Sequence, residues 1–474
     1  MIVEKISDFI LETNYENISK KDIELIKLCF LDYLAVTIKG INQTPTKYLI
    51  KTLNELNYPF SNSKQFQDSC KVIGYDNSYF NTLNAGFING VSAHVLELDD
   101  GHRLAQLHPG AVVFSTALAV SQSTDSSSKE FLGSVIIGYE ISITLGKLVN
   151  PNHRNQGFHS TGTIGAIAAG ATASKLLKLN KFQIISALGL SGTQSSGLLE
   201  SDHQGSMGKV LHVGKAVTNG ILAAYLAKNG FTGTESIIDG DEGFIRAMST
   251  KTVINHDLLN DYINENLKKS HINEVYHKKY PFCRHIHSTI DSIFKLKNQL
   301  NHDKININQI DKVIVNTYKI AAEHNNYNPL NKQDLKQSLP FAVAIALIYG
   351  NVNIDLIDSL IKKDLLTPNE SENLEEINNI KNLLNKIIII NNENLTNLFP
   401  EKRPANVKIV VNTKLNNKIF EDETYFPLGE AENPLTKMDI LKKFKILNPN
   451  YDMEKLKIIE NMEDYKLNEL LKII

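Results

Sequence analysis

The sequence predicts a mainly α protein: a large helical domain, then a smaller α+β domain, then a helical tail. Three observations predict it. Apolar residues recur at helical spacing from about residue 20 to 265. Strand-like alternation is confined to two stretches after residue 270. From Leu435 onward the rhythm is helical again.

From Asp22 to Lys39, the residues Ile23, Ile26, Phe30, Leu34 and Ile38 fall on one stripe, and Gly40 is expected to stop the helix. The same rhythm predicts helices over 81–96, 110–122, 130–148, 162–177, 181–190 and 207–228. Several are rich in Gly, Ala and Ser, as in Gly162-Thr163-Ile164-Gly165-Ala166. Small residues on both faces let helices approach closely, which suits the centre of a large bundle. Further on, 312–318 alternates like a strand, and 406–412 and 418–426 form a β pair around an Asn416-Asn417 turn. Between them 338–349 reads as a buried helix, followed by helical segments rich in Asn, Lys and Ile to about residue 398. No internal repeat is visible.

The chain has 474 residues, with 50 Lys and Arg against 52 Asp and Glu, a formal net charge of −2. At about 150 residues per domain that is room for about three domain-sized units and a large core. The near-neutral balance argues against a nucleic-acid partner, which is bound by a surplus of cations. Cys29, Cys70 and Cys283 are far apart and odd in number, so neither a disulfide framework nor a zinc ribbon is expected, and the cytoplasm is the expected compartment. Met1 to Asp8 lacks the basic and apolar regions of a signal peptide, and no uninterrupted apolar run approaches the roughly 18 residues of a membrane helix.

Familiar signatures are missing. Gly162–Gly170 lacks GxGxxG spacing and no strand precedes it; Gly208-Lys209 and Gly214-Lys215 lack the rest of a P-loop. There is neither an HExxH nor a GxSxG motif.

Four polar clusters interrupt otherwise apolar text. The first runs from His94 through Glu97, Asp99, Asp100, Gly101, His102 and Arg103 to His108-Pro109-Gly110. It is either a polar site or a helix end with solvated acids and incidental histidines. In the second, His159-Ser160-Thr161-Gly162 opens a helix whose N–H groups and dipole suit a carboxylate. The alternative is that Ser160 or Thr161 caps the helix while His159 faces water. In the third, Lys209 and His212 are three apart, on one helical face. That lysine is a surface cation or a buried participant in chemistry. The fourth, Lys278-Lys279-Tyr280-Pro281-Phe282-Cys283-Arg284-His285-Ile286-His287, adds cations beside a Pro-fixed turn. One Cys and two His without a fourth ligand do not make a zinc set, so no metal is expected. The combined inventory suits removal of a proton next to a carboxylate, where fixed cations stabilise the enediolate and a positioned base takes the proton.

The order and spacing of these clusters resemble the MmgE/PrpD family, which includes 2-methylcitrate dehydratases, cis-aconitate decarboxylases and iminodisuccinate epimerases. The resemblance also rests on Leu31-Asp32-Tyr33, the Gly/Ala stretch from His159 to Gly233, the stretch from Asp334 to Pro340, and Glu432-Asn433-Pro434-Leu435. It implies an all-helical domain, 1–270 plus 430–474, with a smaller α+β lid, 271–429, inserted in it. It further implies an active site in the cleft between them, no cofactor and a homodimer. The decarboxylase branch's catalytic set falls on Glu97, His108, His159, Lys209, Lys278 and Cys283. Glu97 departs from an aspartate, with Asp99 and Asp100 as nearby alternative acids. Cys283 departs from a histidine, with His287 one helical turn on. The 100–108 loop is also longer and contains Gly101-His102-Arg103.

The expected catalytic residues are therefore His159, Lys209, His108, Glu97 and Asp100. Lys278, Arg103, His102, Cys283, Arg284 and His287 are expected to bind substrate. The expected activity is a cofactor-independent lyase acting on a small di- or tricarboxylate, of the 2-methylcitrate dehydratase type. The alternatives are an iminodisuccinate-type epimerase sharing the proton abstraction, or a non-catalytic scaffold that keeps the fold.

Overall fold

A computed structural model of the chain describes residues 1–56, 69–75, 79–203, 205–249, 255–363, 365–366, 374–412 and 417–474. The protein is mainly α, with small sheets. It divides into two compact units: the first comprises 1–201, 207–277 and 436–474, the second 202–206 and 278–435.

In the first unit, the long helices are α1 (Ile2–Glu12), α2 (Lys20–Gly40), α3 (Thr44–Glu55), α4 (Thr82–His94), α5 (Pro109–Thr124), α6 (Ser128–Val149), α7 (Ser160–Leu176), α8 (Lys181–Thr193) and α9 (Gly208–Lys228). Local chemistry explains their starts. The Ser19 side chain accepts from the Asp22 amide, Ser127 and Glu130 form a reciprocal capping box, and Pro109 occupies the first turn of α5. α4, α5 and α7 are buried along nearly their whole length, and α7 packs on α5, α6, α8 and α9. Small residues permit this: a Cβ on Gly220 of α9 would lie 2.4 Å from the Ala169 Cβ of α7.

Gly40 serves a different purpose from the one expected. It is the last residue of α2, but a Cβ there would lie 1.9 Å from the Ser92 carbonyl oxygen of α4, so glycine is needed for close approach of two helices. The helices α6 and α9 also reach the length and apolarity of a bilayer-crossing helix, although no uninterrupted apolar run announces them. Ile, Val and Leu carry that apolarity, broken up by Gly, Ser and Thr, and 89% of the α6 stretch is buried inside the protein.

The tail returns to this unit as a helix over Lys437–Leu447, which packs on α2. Lys443 of that helix is buried, with Nζ 2.6 Å from Asp32 Oδ1 and 2.6 Å from the Leu98 carbonyl oxygen. The chain stays in the first unit through His277 because Val275–Tyr276 pairs antiparallel with Gly101–His102.

The second unit is built on a four-stranded sheet, in spatial order 387–391, 310–317, 405–412, 417–424. Its last two pairings are antiparallel, whereas Ile387–Asn391 runs parallel to Ile310–Thr317 with Val313 opposite Ile387. Alternate residues Val313, Val315, Val407, Ile409 and Val411 are fully buried and share a core with helices His287–His302 and Leu339–Tyr349. Strand Ile387–Asn391 overturns the helical reading of that region. Four consecutive isoleucines carry no period, and their β-branched side chains favour an edge strand, where Ile388 and Ile390 stay exposed. The expected Asn416-Asn417 turn lies partly outside the described residues.

Candidate active site

In the first unit, the ends of four helices bring seven polar side chains together. His94 is the last residue of α4; Glu97 and Asp99 follow in the loop; His108 precedes α5; His159 precedes α7; Lys209 and His212 lie on the first turns of α9. Glu97 adopts a left-handed backbone (φ 57°) without being glycine or asparagine, a conformation that costs about 1–2 kcal/mol. Its side chain meets Lys209, Nζ to Oε1 2.7 Å, and both side chains are nearly buried.

Each imidazole is held by a specific partner. His94 Nδ1 lies 2.7 Å from Asp99 Oδ2. His108 Nδ1 donates to the Asp100 carbonyl at 2.6 Å, so in the neutral ring the lone pair is on Nε2. The His108 amide donates to Thr161 Oγ1, so Thr161 joins two helix starts instead of capping its own. His159 turns inward, with Nδ1 3.2 Å from His212 Nδ1 and only 5% exposure. Gly197, at φ 140°, makes room for this pair: a Cβ there would lie 3.1 Å from the His212 ring. Burial, reinforced by the charges of His94, Lys209, His212 and His108, holds the His159 imidazole well below the usual histidine range. At neutral pH it is therefore an uncharged ring able to accept a proton.

His94, Asp99 and His108 offer three ligand atoms within 4.8 Å of one another, which makes them the group able to hold a cation among the described residues. Both Nδ1 atoms already have oxygen partners within 2.7 Å, an arrangement that orients rings.

Other expected residues are placed elsewhere. Asp100 faces the interior, where it accepts from the Tyr139 hydroxyl at 2.5 Å and the Gly110 amide at 2.9 Å. His102 is a loop hub: Nε2 pairs with Glu274 at 2.8 Å and Nδ1 accepts from the Ala105 amide. Arg103 is half-buried in the same loop.

In the second unit, Arg284 is used internally. Its guanidinium donates to Glu430 Oε1, to the Pro427 and Leu428 carbonyls and to His287 Nδ1, and Arg403 meets the same Glu430 oxygen. His287 is saturated too, because its Nε2 donates to the Phe282 carbonyl at 3.1 Å. Burial, with the charges of Arg284 and Lys278, pushes His287 well below the usual range. Those two residues, expected to bind substrate, are placed within this internal network. Lys278 is fully buried, and Cys283 Sγ lies 3.4 Å from His324 Nε2.

Burial raises the Asp100 carboxyl from 3.8 to about 7. A raised carboxyl favours the folded state most when protonated, so this contribution is complete below about pH 4 and is lost as pH rises through 7. In Asp100→Asn, the amide can accept from Gly110 and donate to Tyr139. That variant is expected to show a flatter stability profile between pH 4 and 7 in urea titrations; an unchanged slope would contradict the assignment.

Sequence comparison agrees with the geometry. Residues 4–257 match the MmgE/PrpD N-terminal domain and residues 280–464 the MmgE/PrpD C-terminal domain. Relatives include a cis-aconitate decarboxylase-like protein of Aspergillus oryzae, 24% identical over 375 residues, 75% of each chain. The cis-aconitate decarboxylase of Aspergillus terreus is 26% identical over 297 residues, 59% of this chain and 60% of its own. The human cis-aconitate decarboxylase is 22% identical over 406 residues, 82% of this chain and 79% of its own. With both domains matched along most of its length, the chain belongs to the MmgE/PrpD family.

Proposed function

We propose that the protein is a cofactor-independent lyase that moves a proton at the carbon next to a carboxylate of a small di- or tricarboxylic acid, by dehydration of the 2-methylcitrate type. The observation that carries this reading is the buried Glu97–Lys209 pair with His94, His108, His159 and His212 around it. Lys209 offers the fixed cation for an enediolate, and the uncharged His159 or the Nε2 of His108 takes the proton. A second group in the cluster delivers a proton to the departing hydroxyl. In the second unit, Lys278 and Cys283 are the remaining binding candidates once the protein's own groups account for Arg284 and His287.

Decarboxylation is the second reading, favoured by the printed activity of the relatives. Glu97 and Cys283, which depart from that branch's residue types, weigh against it. NMR in D₂O with methylcitrate, citrate, cis-aconitate and iminodisuccinate, with and without chelator, separates the cases. A new vinylic signal without carbon loss is expected. Loss of CO₂ would select decarboxylation, and deuterium at an α-carbon of an intact skeleton would select epimerisation. If no acid reacts and none raises the melting temperature, the catalytic reading is wrong, because any ligand that binds the folded state stabilises it.

A further inference from the structure

Three donors converge on one carboxylate that the motif spacing did not single out. Glu274 Oε2 lies 2.8 Å from His102 Nε2 and 3.1 Å from Lys147 Nζ near the end of α6, and Oε1 lies 3.5 Å from His271 Nδ1. The two imidazoles are buried, whereas the Glu274 side chain is 42% exposed. An ion pair at so open a carboxylate adds little stability, so its effect lies in what it orients.

His102 Nδ1 accepts from the Ala105 amide at 3.0 Å, so the ring proton sits on Nε2, the atom that meets Glu274. The same residue closes the turn that follows it. Its amide donates to the Leu107 carbonyl and its carbonyl accepts from the Gln106 amide, both at 2.9 Å. Gln106 is left-handed, φ 52°, a conformation that its surroundings must hold. Leu107 leads directly into His108, whose Nδ1 donates back to the Asp100 carbonyl. The pairing of Gly101–His102 with Val275–Tyr276 is only two residues long, and so short a ladder is marginal by itself. Tyr276 adds a wall: a Cβ on Gly101 would lie 2.4 Å from its hydroxyl oxygen, and its ring meets the His108 ring edge-on at 6.5 Å between centroids.

We infer that Glu274 is a positioning residue for His108, acting through the His102 ring and the 102–107 turn. The inference rests on the proton-transfer reading above, in which His108 Nε2 is a candidate base. Glu274 moves no proton in this role. Its carboxylate holds the His102 Nε2–H, His102 holds the turn, and the turn sets the direction in which His108 points. A general base works only within hydrogen-bond reach of the proton it removes, and a misplacement of about 1 Å can cost about 10²-fold in rate.

Two measurements test this. With the acid that the NMR panel identifies, Glu274→Ala should lower kcat about tenfold while KM stays within about threefold. Glu274→Gln keeps an acceptor for the His102 Nε2–H and should hold kcat within about twofold of wild type. An unchanged kcat in Glu274→Ala, a rise confined to KM, or equal losses in the two variants would overturn the inference and leave the lyase reading intact. The second measurement needs no turnover. The Ala105 and His108 amides are bonded to His102 Nδ1 and Thr161 Oγ1. Their hydrogen exchange should quicken about tenfold in Glu274→Ala and stay near wild type in Glu274→Gln, with the amides of α7 unchanged in both. Quickening at Ala105 that stops short of His108, or equal quickening throughout α7, would mark a merely structural Glu274 and overturn the inference whether or not any acid reacts.

Discussion

Lys209→Ala is expected to lower kcat by at least about 10²-fold, the scale on which one preorganised charge stabilises a developing oxyanion. The effect has two sources. The Lys209 charge acts on the candidate base His159, and Lys209 is also the partner of Glu97 at 2.7 Å. Removing it leaves a nearly buried carboxylate beside His94 without that ammonium. It also removes one of the charges that keep His159 low, so the His159 imidazole becomes more basic. The loss should therefore be accompanied by an upward shift of the pH–rate profile. Lys209→Met keeps the length of the side chain and should behave alike, which separates charge from packing. Turnover like that of wild type in either variant would remove Lys209 from the chemistry.

Lys443→Met is expected to destabilise the protein by about 3–5 kcal/mol, because it strands Asp32 as a buried charge. The pair is direct, Nζ to Oδ1 2.6 Å, and neither side chain is more than 8% exposed. Lys443 also donates to the Leu98 carbonyl, in the middle of the loop that carries Glu97, Asp99 and Asp100. Activity should then fall further than the folded fraction alone accounts for. Removing both charges, as in Lys443→Met with Asp32→Leu, should recover much of the stability, since two apolar groups leave no ion unpaired. Activity should not return with it, because the Leu98 carbonyl still lacks its donor. Urea denaturation beside initial rates decides the matter: equal stability loss in the single and double variants would contradict the buried-pair account.

The helical architecture was legible in the sequence because α2 and its neighbours combine a 3.6-residue stripe with chemically explicit starts at Ser19, Ser127 and Pro109. Strand Ile387–Asn391 was not, since a run of four isoleucines looks the same in an edge strand and in a short helix. The proton-transfer inventory was legible as residue types at helix ends. Partners were not. Arg284 looks free to bind a substrate until Glu430, 146 residues later, is seen to accept from it. His94 looks like a helix terminus until Asp99 and two further rings close around it. Nor does any local pattern mark the left-handed turn at Glu97, a residue type that seldom adopts it.

The Lys443 contacts also set the order in which a growing chain can complete itself. Asp32 and Leu98 leave the ribosome 411 and 345 residues ahead of the ammonium that satisfies them. At about 5–20 residues per second, the loop bearing Glu97 waits roughly 17 to 70 seconds for its donor. Throughout that interval Asp32 lacks this ammonium while the whole of 278–435 is synthesised. Synthesis thus delivers the means of locking the acidic loop only with the helix Lys437–Leu447.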